Sequence, residues 1–103
     1  MAVNRRLPPD MRQGEILAAA LALAKRDGYK NITRDAVADR AGCSTGLVTK
    51  YFSTMTQLKR AVMRAAVSQG IVAVVAQGLA DHNAYARKAP DDLKERALAS
   101  LAG

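Results

Sequence analysis

The segment from Thr33 to Phe52 constrains the fold more than any other part of the chain, because it reads as two short helices joined at a glycine. Thr33 and Ser44 are of residue types that cap the N-termini of helices. Gly42 lies between them and can adopt the positive φ of a helix C-terminus. The gap from Gly42 to Ser44 is too short for a long loop. The pattern therefore predicts a helix-turn-helix.

Hydrophobic spacing gives each of these two helices an inner and an outer face. The apolar residues that recur at helical spacing are Val37, Ala38, Ala41, Leu47, Val48, Tyr51 and Phe52. The residues left on the outside of the second helix are Thr45, Gly46, Thr49 and Lys50. This small polar surface with one positive charge suits a DNA groove.

The positive charge of the chain lies in the same half as this motif. The formal net charge is +7, and the first 64 residues hold twelve of the sixteen cations but only five of the nine acids. The four cations and four acids after residue 64 cancel. This distribution is expected if the first half meets phosphates and the second half meets protein. A diffuse basic surface without a partner is the alternative.

The N-terminal residues predict a basic flexible arm over residues 1–9, since Arg5 and Arg6 precede two prolines that favour an extended chain. Such an arm can reach a phosphate or the minor groove, or it has no role. A helix from Asp10 to about Asp27 follows. Its apolar run superficially resembles a secretory leader, but the interrupting acids and prolines and its helical period argue against one. We therefore expect a cytoplasmic protein.

The second half contains a stretch that is too apolar for a small monomer to bury. A long fourth helix follows Phe52, and residues 67–80 carry no charge. This stretch is also too short to cross a bilayer, so we expect a second protein surface to cover it, together with a short fifth helix that starts at Pro90. The predicted homodimer interface comprises Val67, Ile71, Val74, Val75, Leu79, Leu93, Leu98 and Leu101.

These observations predict an all-α fold, in which a three-helix helix-turn-helix domain is followed by a long fourth helix and a short fifth helix. The expected division is an arm at residues 1–9, a DNA-binding domain at residues 10–64 and a helical dimerisation region at residues 65–103.

The first half also resembles a known family, the tetracycline-repressor (TetR) family of bacterial transcription regulators. The resemblance rests on residues 16–20, Gly28-Tyr29, residues 33–44, Gly46-Leu47-Val48, Tyr51-Phe52, Leu58 and Ala61-Val62. It implies an all-helical homodimer that binds a palindromic operator, usually to repress. It also implies phosphate or groove contacts from Thr33, Arg34, Thr45, Gly46, Leu47, Thr49, Lys50 and Tyr51. The predicted DNA-binding set is completed by Ser44, Arg5 and Arg6.

The chain departs from the family pattern in three ways. Thr49 replaces a usual tyrosine and Met55 a usual lysine, so the grip on the DNA backbone must be distributed differently. Candidates for that grip are Lys50, Lys59 and the N-terminal arm. The third departure is that only about two helices follow the DNA-binding half, so a small-molecule effector pocket is not expected.

The expected chemistry of DNA binding divides between charge and shape. Lys50 and the arginines supply salt-sensitive attraction that ignores sequence. Thr45 and Thr49 can bond a base edge or a phosphate, and Leu47 can touch a thymine methyl group if it is not fully buried.

Other functions have less support in the sequence. A protein-interaction module, such as an antirepressor that pairs with a longer regulator, stays open. The sequence lacks the patterns that would indicate an enzyme. It has no paired carboxylates, no nucleophile with a histidine partner and no phosphate-binding glycine loop. One cysteine and one histidine give no cluster for a metal, and no cofactor is expected. Cys43 is expected to act as a small apolar residue, with a thiol sensor as the alternative, and His82 is expected at the surface near a helix end.

Overall fold

The computed structural model describes residues 9–102, and every secondary-structure element in this range is helical. The all-α fold class is therefore confirmed. The helices of this range are α1 (Pro9–Asp27), α2 (Arg34–Ala41), α3 (Thr45–Tyr51), α4 (Met55–Gln69), α5 (Val72–Ala80), α6 (Ala84–Arg87) and α7 (Asp91–Ala102). A single 3-10 turn (Tyr29–Asn31) connects α1 to α2.

The second half contains four helices, α4 to α7, where the sequence predicted two. Gly70 ends α4 in the left-handed conformation, with φ of 69°, and the Ile71 amide donates to the Ala66 carbonyl at 2.9 Å. This is the hydrogen bond of a glycine-terminated helix. Asn83 then caps α6 by accepting from the backbone amides of Tyr85 and Ala86. Gly70 thus divides the uncharged stretch between the end of α4 and a separate α5.

One hydrophobic core runs through both halves of the described chain. Fully buried members come from each region, among them Ile16 of α1, Val37 of α2, Leu58 of α4 and Val74 of α5. Helix α1 packs on α2 and α4, while α5 packs on α4, α6 and α7. The first helices are therefore joined to the last ones by apolar packing.

The expectation that a monomer cannot bury α5 is wrong. Val74 and Val75 are fully buried and Leu93 is 5% exposed within the single chain, so these three residues are not available to a partner. Gly78 makes this possible by letting α5 approach closely. A Cβ at Gly78 would lie 2.6 Å from Met63 Cε and 2.7 Å from Ala86 Cβ.

The other residues of the predicted interface differ in exposure. Val67, Ile71 and Leu79 are partly buried and pack against the core. Leu98 and Leu101, on α7, keep 52% and 48% of their surface exposed. Of the predicted interface, the residues that stay largely exposed are therefore the two on α7, so the apolar surface left for a partner is smaller than predicted.

The predicted domain limits meet the structure at two places. Helix α1 begins at Pro9, one residue before the predicted start at Asp10, and residues 1–8 of the expected arm lie outside the described residues. The limit between residues 64 and 65 falls inside α4. The division into a DNA-binding and a dimerisation region stays a prediction.

Among residues 9–102, no helix is both long enough and apolar enough to span a bilayer.

Candidate nucleic-acid interface

The turn between α2 and α3 has the geometry that the sequence predicted. Thr33 Oγ1 accepts from the Ala36 amide at 3.2 Å, and Ser44 Oγ accepts from the Leu47 amide at 3.1 Å. Gly42 adopts φ of 72° and ψ of 37°. Both helix starts and the glycine turn between them are therefore set by local side-chain and backbone chemistry.

Helix α3 is fixed by its inner face and presents the rest of its surface outward. Val48 is fully buried and Phe52, which directly follows the helix, is 6% exposed. The predicted DNA-binding residues of this region that lie exposed are Ser44, Thr45, Gly46 and Lys50, and those that are half-buried are Leu47, Thr49 and Tyr51. The structure thus brings these seven residues together on one short segment.

The polar groups of α3 have defined local partners. The Thr49 hydroxyl donates to the Thr45 carbonyl at 3.1 Å, so its oxygen keeps only acceptor capacity toward a donor such as a base amino group. The Lys50 ammonium lies 5.8 Å from the centroid of the Tyr51 ring, within the range of a cation–π contact. In the described part of the chain Lys50 forms no ion pair, so its charge faces solvent.

Thr33 and Arg34 lie at the start of α2, the helix that packs on α3. Thr33 is exposed, although its hydroxyl already accepts the capping bond, and Arg34 is half-buried. Arg34 Nε is buried and has no hydrogen-bond partner among residues 9–102. Because this Nε is buried, an acceptor from outside the chain cannot reach it in this conformation.

The structure describes the position of the family's usual lysine and two of the candidates for the grip on the DNA backbone. Met55, which stands at that position, is half-buried and packs against the core. Lys59 donates to the Lys30 carbonyl at 3.0 Å, so its ammonium already has an intramolecular partner. Arg5 and Arg6 lie outside the described residues. Of the two candidates among the described residues, Lys50 is exposed and Lys59 is half-buried.

Sequence reasoning missed a polar contact that links the first half to α5. Tyr29 is 4% exposed, and its hydroxyl donates to Asp81 Oδ2 at 2.6 Å. Burial and the Asp81 carboxylate raise the pKa of Tyr29 to about 12. The Tyr29 hydroxyl and then the Lys30 ammonium lower the pKa of Asp81. Tyr29 and Asp81 are 52 positions apart in the sequence, and neither helical periodicity nor local spacing predicts a contact between residues so far apart.

The remaining candidate groups do not gather into a metal site in the described range. No three His, Cys, Asp or Glu side chains among the described residues lie close enough to hold a metal ion. Cys43 is a half-buried free thiol. His82 is exposed and follows α5, as predicted from the sequence.

Residues 16–62 match the model of the family described as bacterial regulatory proteins, tetR family. The transcriptional activator FasR of Mycolicibacterium smegmatis is 38% identical over 76 residues, which are 74% of this chain and 34% of FasR. The uncharacterized transcriptional regulator YfiR of Bacillus subtilis is 36% identical over 62 residues, 60% of this chain and 30% of YfiR. Both are named as helix-turn-helix-type proteins.

These alignments cover about a third of the length of either relative. No solved structure gave a significant match. The matched segment contains α2, the glycine turn and α3 whole, and it extends into α1 and α4 on either side. The capped helices, the glycine turn and the family match agree, and through residues 16–62 the chain belongs to the tetR family of bacterial transcriptional regulators.

Proposed function

We propose that the chain binds a palindromic operator in double-stranded DNA as a homodimer and represses transcription. The observation that carries this proposal is the outward surface of α3, on which Thr45, Gly46 and Lys50 are exposed while Val48 fixes the helix from beneath. A recognition helix reads the major groove from its N-terminal residues. The exposed residues of α3 begin at that end.

Different residues of this surface are suited to contact the phosphates and the bases of DNA. Lys50 and the half-buried Arg34 supply contacts to phosphate, which set affinity and its salt dependence. Thr45 and the acceptor oxygen of Thr49 supply polar contacts to base edges, and the half-buried Leu47 offers methyl groups to thymine.

Two copies are proposed because a palindrome repeats the same half-site on both sides of a two-fold axis. The two α3 helices would then lie about 34 Å apart, one turn of DNA. The exposed Leu98 and Leu101 on α7 supply apolar surface for the symmetric contact. The part of the chain after residue 64 carries no net charge, which favours a protein partner over DNA there.

Repression is proposed because a dimer that occupies a promoter needs no further contact to block transcription. Activation is the second candidate, since FasR is named as a transcriptional activator. A reporter gene placed downstream of the operator distinguishes repression from activation. Deleting the gene for this chain raises reporter output under repression and lowers it under activation.

The test of DNA binding is selection from a pool of random duplexes, followed by footprinting over a salt series. The proposal predicts a selected palindrome, protection of both half-sites and a steep loss of affinity with salt. The absence of binding at low salt, together with a heteromeric complex with a longer regulator, would instead support the antirepressor.

The dimer is tested separately by mass in solution. A double variant, Leu98→Asp with Leu101→Asp, should raise the dissociation constant of the dimer about tenfold or more, which corresponds to about 1.4 kcal/mol. The helical circular dichroism signal should persist because both residues are exposed. A strictly monomeric wild-type chain at micromolar concentration would contradict the homodimer.

Two narrower expectations belong to the same proposal. A regulator that binds the chromosome works in the cytoplasm. The expectation that no small molecule acts on the chain stays a prediction, and thermal shifts measured with a metabolite library would test it.

A further inference from the structure

The turn that leads into α2 is held from outside the helix-turn-helix. This connecting turn, residues 28–32, is followed directly by Thr33, the cap of α2. Gly28 has φ of 97°, so the chain reverses there in a conformation that favours glycine. Where this turn is fixed determines where α2 begins.

Two side chains of the α5 region hold the connecting turn. Gln77 Oε1 accepts from the Tyr29 amide at 2.7 Å, and Gln77 Nε2 donates to the Ala24 carbonyl at 3.3 Å. Asp81 accepts from the Tyr29 hydroxyl at 2.6 Å and from the Lys30 ammonium at 3.0 Å. The last turn of α1 and the connecting turn are thus bonded to one end of α5.

The contact through Tyr29 carries more weight than the contact through Lys30. The Lys30 and Asp81 side chains are 63% and 42% exposed, and solvent-exposed pairs contribute little. Tyr29 is almost completely buried, and a hydroxyl that donates to a carboxylate makes a short, charge-assisted bond. If Asp81 is removed, this hydroxyl loses its acceptor.

We propose that Asp81 is a positioning residue for DNA binding, which acts through Tyr29 and the connecting turn to hold α2 and α3 in the orientation that fits the groove. This inference rests on the proposed function, since it assigns to Asp81 the support of the same DNA-binding surface. A small displacement of the connecting turn and α2 would also move α3, because the tight Gly42 turn joins the two helices. A misplaced recognition helix loses its directional contacts to base edges.

The sign of the effect separates positioning from simple electrostatics. Asp81→Ala removes one negative charge, so long-range attraction alone predicts equal or tighter binding to DNA. Positioning predicts weaker binding to the selected operator, by about 3- to 10-fold. Glu95→Ala is the matched control, since it removes the same charge from an exposed site on α7.

A double-mutant cycle shows whether Asp81 acts through Tyr29. Tyr29→Phe alone should also weaken operator binding without changing net charge. In the Asp81→Ala background it should add little, because the bond it removes is already gone. Asp81→Glu, which keeps a carboxylate, should restore part of the affinity. Additive losses, or an affinity for Asp81→Ala equal to that of Glu95→Ala, would overturn the inference.

Amide hydrogen exchange tests the inference without DNA. In Asp81→Ala, amides of α2 and the connecting turn should exchange several-fold faster than in Glu95→Ala, while amides of α7 should be unchanged relative to the wild-type chain. Unchanged exchange in α2 would overturn the inference even if DNA binding stands. Failure of the wild-type chain to bind any duplex at low salt would overturn the proposed function, whereas faster exchange in α2 would still show that Asp81 holds the turn.

Discussion

Helices α3 and α5 are both short, and they use their surfaces in opposite ways. Helix α3 has seven residues, of which Val48 is buried, and it leaves small polar groups exposed. Helix α5 has nine residues and buries four of them, Val74, Val75, Ala76 and Gly78. From the sequence alone, both segments are expected to contact a partner, because neither resembles an ordinary amphipathic helix. The structure shows that α5 has its partner within the chain, while the outer face of α3 remains open.

The largest expected effect tests whether α5 belongs to the core. Val74→Asp places a carboxylate at a fully buried position without a partner, which should cost about 4 kcal/mol or more of stability. Chemical denaturation should then show loss of the cooperative transition. A folded monomer with native helix content would mean that α5 faces a second copy instead.

Gly78→Ala tests the close approach of α5. The added Cβ would lie under 3 Å from Met63 and from Ala86, so α5 must move away, at a cost of about 1–3 kcal/mol. Gly14→Ala is the control, because nothing lies within 4 Å of a Cβ at Gly14. Equal midpoints of urea denaturation for the two variants would show that α5 is packed more loosely.

Removal of a helix cap should lower stability by a smaller amount, and its effect on DNA binding should distinguish α3 from the second half of the chain. Ser44→Ala and Asn83→Ala each remove a side-chain cap, of α3 and of α6, and each should cost about 1 kcal/mol of stability. Ser44→Ala should weaken operator binding more than Asn83→Ala does, because α3 carries the reading surface. Similar losses of DNA affinity in both variants would indicate that general stability limits binding.

The smallest effect concerns pH and the contact between the two regions. The pKa of Tyr29 is raised from 10.0 to about 12 in the folded chain. Its contribution to stability is therefore complete below pH 10 and is lost as the pH rises through about 12. Denaturation of wild type and Tyr29→Phe between pH 9 and pH 12 should show a steeper fall for wild type. Parallel curves would contradict the contact.

The Asp81 carboxylate has the opposite dependence. Its pKa is lowered by the Tyr29 hydroxyl and then by the Lys30 ammonium. The stability it contributes is present above the unfolded pKa and is lost as the pH falls through the folded value. The stability difference between wild type and Asp81→Ala should therefore shrink in acid.

The sequence allowed prediction of whatever is determined locally. The caps at Thr33 and Ser44 and the turn at Gly42 follow from residue type and spacing, and the inner face of α3 follows from helical periodicity. The burial of Val74 was not predictable in the same way. Periodicity shows that an apolar segment needs a cover, but it does not show whether the cover is the same chain or another copy.

The contacts that were missed depend on the fold as a whole. In the sequence Gly78 is only one member of the uncharged stretch, yet in the structure it lets α5 approach Met63 and Ala86. Asp81 was counted only as one charge in a neutral half, yet it accepts from Tyr29. Each role arises from residues that are distant in sequence, so neither is visible before the helices are placed.

The most direct test of the central claim, that the outer face of α3 binds DNA, is the salt dependence of operator affinity for wild type and Lys50→Ala. The claim predicts weaker binding for Lys50→Ala and a salt slope smaller by about one unit. Lys88→Ala, which removes an exposed cation near α6, should leave the slope unchanged. A Lys50→Ala variant with wild-type affinity and slope would contradict the assignment of α3 to the groove.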